Sequence, residues 1–371
     1  MMQAVGVVPG VREVRLLQHE APEIGGANQV RIRSLEVGVC GTDREICTFV
    51  YGSPPVGFDY LVLGHESLGE VIEVGSGVSR FSSGDLVVPS VRRPCPHDYC
   101  LACREDKQDF CYTGDFTERG IKMTHGFMTD FYVEEEKYLT FVPPDLRDVA
   151  VLVEPLTVAE KGLAQVWKVQ RRLPWVDPSI PAERRGQGKN AVVLGAGPVG
   201  LLGAMLLIVN GFKTYVYSRS KAPNPKSEIV ESIGAQYISC ENESVDQLAA
   251  RVGNIDLVYE AVGTAKISYD VLRVLGLNGI YVFTGIPSPK PPIGIDADLI
   301  MRNVVLKNQV IVGTVNADRE AFEGAIRDLG AFLKRWPTEL RALITGRYRM
   351  DQYRGLLLGK AAGIKNVISL A

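Results

Sequence analysis

Residues 195–200 read Gly195-Ala196-Gly197-Pro198-Val199-Gly200, and their setting restricts the fold more than any other stretch. The preceding NAVVL run (190–194) is short, apolar and β-branched, which predicts a buried strand. The following LLGAMLLIVNG predicts a helix ending at Gly211. Between a strand and a helix, G-x-G-x-x-G has a use for each glycine. The first permits a tight turn, the second lets backbone approach a pyrophosphate, and the third lets helix and strand pack closely. The helix N-terminus adds amide donors and a positive dipole end. A glycine-rich turn that binds nothing is the plainer alternative. The matched context favours a dinucleotide held by Gly195, Gly197, Pro198, Val199 and Gly200.

Strand-like runs TYVYS, DLVYEAVG, GIYVFTG and VVLKNQVIVGTV then alternate with helical stretches, which predicts a doubly wound parallel sheet. Thr284, Gly285, Ile286 and Asn316 fall at strand ends on the cofactor side, where they would border the nicotinamide and the substrate; ordinary strand-to-loop residues are the alternative. An NAD site usually ends its second strand with an acid for the ribose 2′-hydroxyl. Here Tyr217-Ser218-Arg219-Ser220-Lys221 holds no carboxylate. A guanidinium is planar, always charged and able to donate two bonds at once. Arg219, with Ser218 and Ser220, therefore points to the 2′-phosphate of NADP in preference to NAD. Solvated surface charges are the plainer account of Arg219 and Lys221.

The first 90 residues have a different texture. VREVRLL, QVRIRSLEVGV, SLGEVIEVG and GDLVVPSV are short Val- and Ile-rich runs punctuated by Gly and Pro, which predicts a partly closed barrel. From Val149 the spacing becomes helical (VAVLVEPLTVAEKGLAQVWKVQRRL), and AFEGAIRDLGAFLKRW near the C-terminus reads the same way before a closing strand, KNVISLA. A net charge of −2 gives no electrostatic reason to expect nucleic acid or an anionic membrane as partner. No apolar run approaches the about 20 residues of a membrane-spanning helix, and the start lacks a signal-peptide pattern. A cytoplasmic location is the expectation.

Cys95, Cys100, Cys103 and Cys111 lie within seventeen residues. Four thiolates so spaced can close a tetrahedron around zinc and leave no open position, so the role would be structural. Two disulfides or free thiols are the alternatives, disfavoured in a reducing compartment. A second site is suggested by three separated elements: Cys40 and Asp43 in GVCGTD, His65-Glu66 in GHE, and Glu154-Pro155. Cys, His and Glu are ordinary zinc ligands, and a catalytic zinc keeps a position open. Taken singly, a buried cysteine is more often packing, and Glu-Pro is more often a helix start.

The order of these landmarks resembles the zinc-containing medium-chain dehydrogenases over essentially the whole chain. Within them it is most similar to the archaeal-type glucose dehydrogenases. The resemblance is carried by Gly38 to Ile46 (GVCGTDREI), Leu61 to Glu66 (LVLGHE), Gly84 to Val87 (GDLV), Arg92-Arg93, Asp109 to Cys111, Gly126 to Met128 and Gly313 to Asn316. It implies a GroES-like catalytic domain over 1–188 with a metal lobe at about 92–112, a Rossmann domain over 189–314, and a C-terminal return over 315–371. It also implies Cys40 and His65 as ligands of a catalytic zinc, with Glu66 and Glu154 as further ligands or proton carriers. Thr42 would lie near the reacting oxygen, and Asp115, Glu118, Glu154 and Asn316 against the sugar. The expected reaction is oxidation of an aldose at C1 to the lactone, with two zinc ions per chain and a homodimer or homotetramer. The sequence departs from the family in its first cysteine gap (four residues where two are commoner) and in carrying Val91 and Val158 where some relatives have Asn and an acid. Two other readings stay open at this stage: a polyol or amino-alcohol zinc dehydrogenase, and a non-catalytic NADPH-binding redox sensor.

Overall fold

The computed structural model describes residues 1–359 and 362–370, and the chain divides into two compact units. One comprises Met1–Thr157 with Asn316–Ala371; the other is Val158–Val315.

The first unit is organised by strand Gln29–Gly38. Glu66–Val74 pairs with it antiparallel along one edge. The other edge is shared: Phe131–Glu135 runs along residues 29–33, and Lys365–Ser369 along 36–38. Leu86–Pro89 and Leu139–Val142 extend the sheet beyond Glu66–Val74, and Ile344–Arg349 extends it beyond Lys365–Ser369. Register shifts at Arg31/Ile32 and Ser34/Glu36 are bulges, which bend a strand and raise its twist so that the sheet can curl. Inside lies an aliphatic and aromatic core containing Val30, Ile32, Val37, Leu61, Leu63, Val71, Val87, Phe127, Met128 and Tyr132. The Val- and Ile-rich runs expected as strands form Glu13–His19, Gln29–Gly38, Glu66–Val74 and Leu86–Pro89.

A charged cluster braces this barrel. Glu134 is buried and accepts from the guanidiniums of Arg93 and Arg119; Arg119 Nε lies 3.0 Å from its Oε2. Burial alone would raise the Glu134 pKa, but Arg119 and Arg93 outweigh it and hold the carboxylate below its ordinary range.

In the second unit six parallel strands run in the order Gln236–Ser239, Lys213–Ser218, Asn190–Leu194, Leu257–Glu260, Ile280–Phe283, Val310–Gly313. The order reverses at Asn190–Leu194, which creates a crevice at the carboxyl ends of the strands where this sheet type binds its ligand. Val192, Leu194, Tyr215, Ile238, Val258 and Tyr281 belong to its core.

The division between the two compact units falls inside helix Val153–Gln170, at Thr157/Val158. The later turns of that helix are committed to the parallel sheet. A Cβ at Gly162 would stand 3.5 Å from Tyr259 and Val282, and Trp167 stacks on Phe212. The run VVLKNQVIVGTV is not one strand. Its first three residues finish helix Ala297–Leu306, and only Val310–Gly313 pairs, because Asn308 takes a positive φ of 49° and breaks the extended path.

Glu134→Gln keeps the shape but leaves two part-buried guanidiniums without a full countercharge. It should lower unfolding free energy at neutral pH by about 3 kcal/mol. Because the native pKa is depressed, the wild-type advantage exists above the ordinary value of 4.5 and should fade as pH falls below it, as urea titrations at several pH values would reveal.

Candidate active site

The register of the barrel delivers the site. Gly38 lies opposite Glu66, so the chain leaving the central strand, Val39-Cys40, arrives beside His65-Glu66. Cys40 then starts helix Gly41–Ile46, and Asp43 in that helix ties the turn together. Asp43 Oδ2 accepts from Cys40 N at 2.8 Å, and Oδ1 accepts from Gly64 N at 3.3 Å. The same Oδ1 stands 3.3 Å from Nδ1 of His65, within ion-pair range but off the line of a formed hydrogen bond. A carboxylate against one imidazole nitrogen fixes the ring and turns the other nitrogen toward a ligand.

Ligand atoms of Cys40, His65 and Glu66 lie within 4.8 Å of one another. Burial opposes a charged His65, yet Asp43 and Cys40 raise its pKa well above the ordinary value. Glu154, in the first turn of helix Val153–Gln170, feels the charges of both His65 and Glu66. Desolvation, followed by repulsion from Glu66 and Asp43, pushes its pKa up to about 7. Three carboxylates and a thiol thus crowd one imidazole, against a single lysine. A divalent cation suits that excess of negative charge and that ligand set. Thr42 is half-buried beside the cluster, with Oγ1 3.9 Å from Cys40 Sγ.

The lysine is a participant that sequence reasoning missed. Lys365 is buried at the start of the C-terminal strand, and its Nζ donates to Glu66 Oε2 and to Val39 O. It lies 299 residues from Glu66 in sequence, and a lone lysine before an apolar strand gives no local sign of its partner. Gly38 is a further constraint: a Cβ there would sit 2.0 Å from Glu66 Oε2.

The four lobe cysteines also come together, with their sulfur atoms within 4.8 Å and none joined in a disulfide. Cys95 N points at Cys103 Sγ from 3.4 Å, the kind of amide donor that favours thiolate and hence metal. His97 is turned to Asp115, 2.5 Å away, and is not in the cluster. That places Asp115 on the lobe with a side chain 62% exposed. Glu118 is different. It is buried, grips Arg92 Nε and Nη2 at 3.1 and 3.0 Å, and accepts from Asn316 Nδ2 at 2.8 Å. Of the expected sugar contacts, Glu118 and Asn316 are brought together and Asp115 stands apart with His97.

In the second unit, Gly195 takes a φ of 99°, open to glycine but strained for other residues. A Cβ at Gly200 would strike Gly195 O at 2.2 Å, whereas one at Gly197 meets nothing within 4 Å, which leaves the cradle a phosphate needs. Pro198 and Val199 open helix Pro198–Val209. Ser218 ends its strand half-buried; Arg219 and Ser220 are exposed, and the Arg219 guanidinium has no ion-pair partner among the described residues. Thr284 and Gly285 are fixed by buried Glu260, which accepts from Thr284 Oγ1 through its backbone carbonyl and from Gly285, Val262 and Gly263 N–H groups through its side chain. Ile286 is exposed beyond them. Glu260 also escaped sequence reasoning, since a strand-ending acid in EAVG resembles any surface carboxylate.

A bent barrel carrying a Cys–His–Glu cluster and a four-thiol lobe, followed by a parallel sheet with a phosphate turn, is the construction of a medium-chain dehydrogenase. Residues 26–144 match the alcohol dehydrogenase GroES-like domain, and residues 147–370 match the glucose dehydrogenase C-terminus. Glucose 1-dehydrogenase of Methanocella arvoryzae is 36% identical over 370 residues, covering 100% of this chain and 99% of that one. Glucose 1-dehydrogenase of Thermoproteus tenax is 39% identical over 330 residues, 88% of each chain. The solved Haloferax mediterranei glucose dehydrogenase in complex with NADP, Zn and gluconolactone superposes with a TM-score of 0.88 at 30% identity, covering 100% and 99% of the two chains. Galactitol-1-phosphate dehydrogenase of Escherichia coli, at 20% identity and a TM-score of 0.79, shares the fold alone. The chain belongs to the glucose dehydrogenase family of the medium-chain dehydrogenases.

Gly38→Ala should displace the Glu66 carboxylate while leaving the lobe untouched. Metal analysis should then find about one zinc per chain instead of two; two retained zinc ions would mean that Glu66 has no part in holding the ion.

Proposed function

We propose that the protein oxidises an aldose, glucose or a close relative, at C1 to the 1,5-lactone with NADP as hydride acceptor. The observation that carries this is the Cys40–His65–Glu66 cluster, with ligand atoms inside 4.8 Å, in a chain of the glucose dehydrogenase family. Zinc at that cluster would supply Lewis acidity toward the sugar's anomeric oxygen, and bound NADP would accept hydride at C4 of its nicotinamide. A second zinc would sit among Cys95, Cys100, Cys103 and Cys111 and hold the lobe closed.

The chain's own groups account for the rest. Glu118 and Asn316 accept and donate toward sugar hydroxyls, with Arg92 holding the Glu118 carboxylate in place. Thr42 receives the hydroxyl proton at Oγ1 and passes its own onward. Glu154, with its pKa near 7, is suited to take the proton up and release it to solvent. The C1 hydroxyl loses a proton, C1 loses hydride, and the ring carbonyl of the lactone forms. Asp43 keeps His65 oriented throughout. Arg219, free of an ion-pair partner, meets the 2′-phosphate of NADP, with Ser218 and Ser220 beside it.

An assembly of two or four copies accompanies this activity. The edge strand Val310–Gly313 pairs on one side only among the described residues, and Ile311, Met301, Val305 and Leu306 are exposed on it and on the preceding helix. Seven cysteines stand free of disulfides, which suits a reducing compartment such as the cytoplasm. No described helix is long and apolar enough to cross a membrane.

Initial rates with glucose, galactose, xylose, sorbitol and threonine, each with NADP and NAD, test the activity. An aldose with NADP should be the best pair. His65→Ala should abolish turnover while NADP binding persists, and Arg219→Ala should weaken NADP more than NAD. Preference for sorbitol or threonine, or full turnover by His65→Ala, would defeat the proposal. Sedimentation should give a dimer or tetramer that Ile311→Lys reduces toward monomer; a wild-type monomer would defeat that assembly.

A further inference from the structure

At the amino ends of the parallel strands, away from the glycine turn at their carboxyl ends, the second unit contains a cavity of about 390 Å³. Its floor is formed where strands begin, at Lys189, Phe212, Asp256-Leu257 and Leu277-Asn278. Its wall is the last turns of helix Val153–Gln170, with Val166, Trp167 and Gln170 facing in. Its roof is the Pro-, Arg- and Gly-rich connection after that helix, which sequence alone marks as a surface linker; Trp175, Val176, Pro178 and Ile180 close over the space.

The roof is built rather than merely draped. Arg185 donates from Nε to Ile180 O at 2.9 Å and from Nη2 to Pro178 O at 3.4 Å. Asp177 accepts from Ser179 N and Oγ. Lys189 Nζ donates to Arg185 O at 3.1 Å, and Asp256 accepts from Asn190 N and Asn254 Nδ2. Asp177, Arg185, Lys189 and Asp256 thus have partners on the chain, and Arg171, the other charged lining residue, is exposed. Among the described residues, one buried lining side chain keeps an unmet polar atom. Gln170 is 8% exposed, and its Nε2 donates to Asn278 O at 3.0 Å, which fixes the amide orientation. Its Oε1 is buried with no hydrogen-bond partner. A buried acceptor left unmet is costly, and an apolar cavity of this size with one oriented polar group is the usual form of a small-molecule site.

We propose that this cavity binds an uncharged aromatic molecule bearing one hydrogen-bond donor, such as a phenol or an indole, which meets Gln170 Oε1 and packs among Trp167, Trp175 and Phe212. The site lies at the opposite end of the strands from the dinucleotide turn, and neither substrate nor cofactor is its ligand.

Phenol and toluene have nearly the same shape and differ in the donor. Each is titrated into the full-length chain saturated with NADP, followed by tryptophan fluorescence and ligand-observed NMR. Phenol should bind saturably and about tenfold more tightly than toluene, with NADP causing no displacement. Gln170→Met should erase that preference while toluene still binds. Val176→Trp, which fills the space and keeps Gln170, should remove both ligands. The proposal fails if neither compound saturates, if toluene equals phenol in the wild type, if NADP displaces the probe, if the preference survives Gln170→Met, or if Val176→Trp leaves binding intact.

Discussion

Everything at the Cys40–His65–Glu66 cluster depends on the antiparallel pairing of Gln29–Gly38 with Glu66–Val74. That ladder sets Gly38 against Glu66 and thereby places Cys40, at the exit of one strand, beside His65, at the entrance of the other. Two bulges adjust the register on the way, and a slip of one residue would turn every side chain of the strand to the opposite face. Ligand geometry is thus inherited from backbone hydrogen bonds, which are numerous and cooperative. The side chains add selectivity to a position already fixed.

Charge is then balanced in layers. Asp43 steadies the imidazole and is itself held by two backbone amides. Lys365 counters Glu66 from the far end of the chain. Glu118 is balanced in a similar way, with Arg92 on one flank and Asn316 on the other. In the parallel-sheet unit Glu260 gathers the loops that follow two neighbouring strands. Asp43, Glu118 and Glu260 are each buried and bound to more than one group, so each locks loops that would otherwise move independently.

The parts legible in sequence were those with local signatures. Strand alternation, the glycine turn, the cysteine spacing and the Cys40, His65 and Glu66 motifs each declare themselves within a few residues. Lys365 and Glu260 do not, because what makes them matter is a partner or a loop distant along the chain. Asp115 and Glu118 are acids in one short stretch, and the sequence alone does not separate their surroundings. Only the pairing of Arg92–Arg93 with Thr117–Arg119 turns Glu118 inward and leaves Asp115 with His97. Helix Val153–Gln170 is likewise continuous in pattern, and periodicity cannot reveal which sheet each turn packs on.

The parallel-sheet unit is inserted between the two stretches of the barrel unit, and this has a consequence for biosynthesis. During translation, the lysine that neutralises Glu66 leaves the ribosome 299 residues after it. The nucleotide-binding insert can fold while the barrel is still missing a central strand. Until that lysine is made the Glu66 cluster is over-negative, and its charge is balanced only after the whole insert has been synthesised.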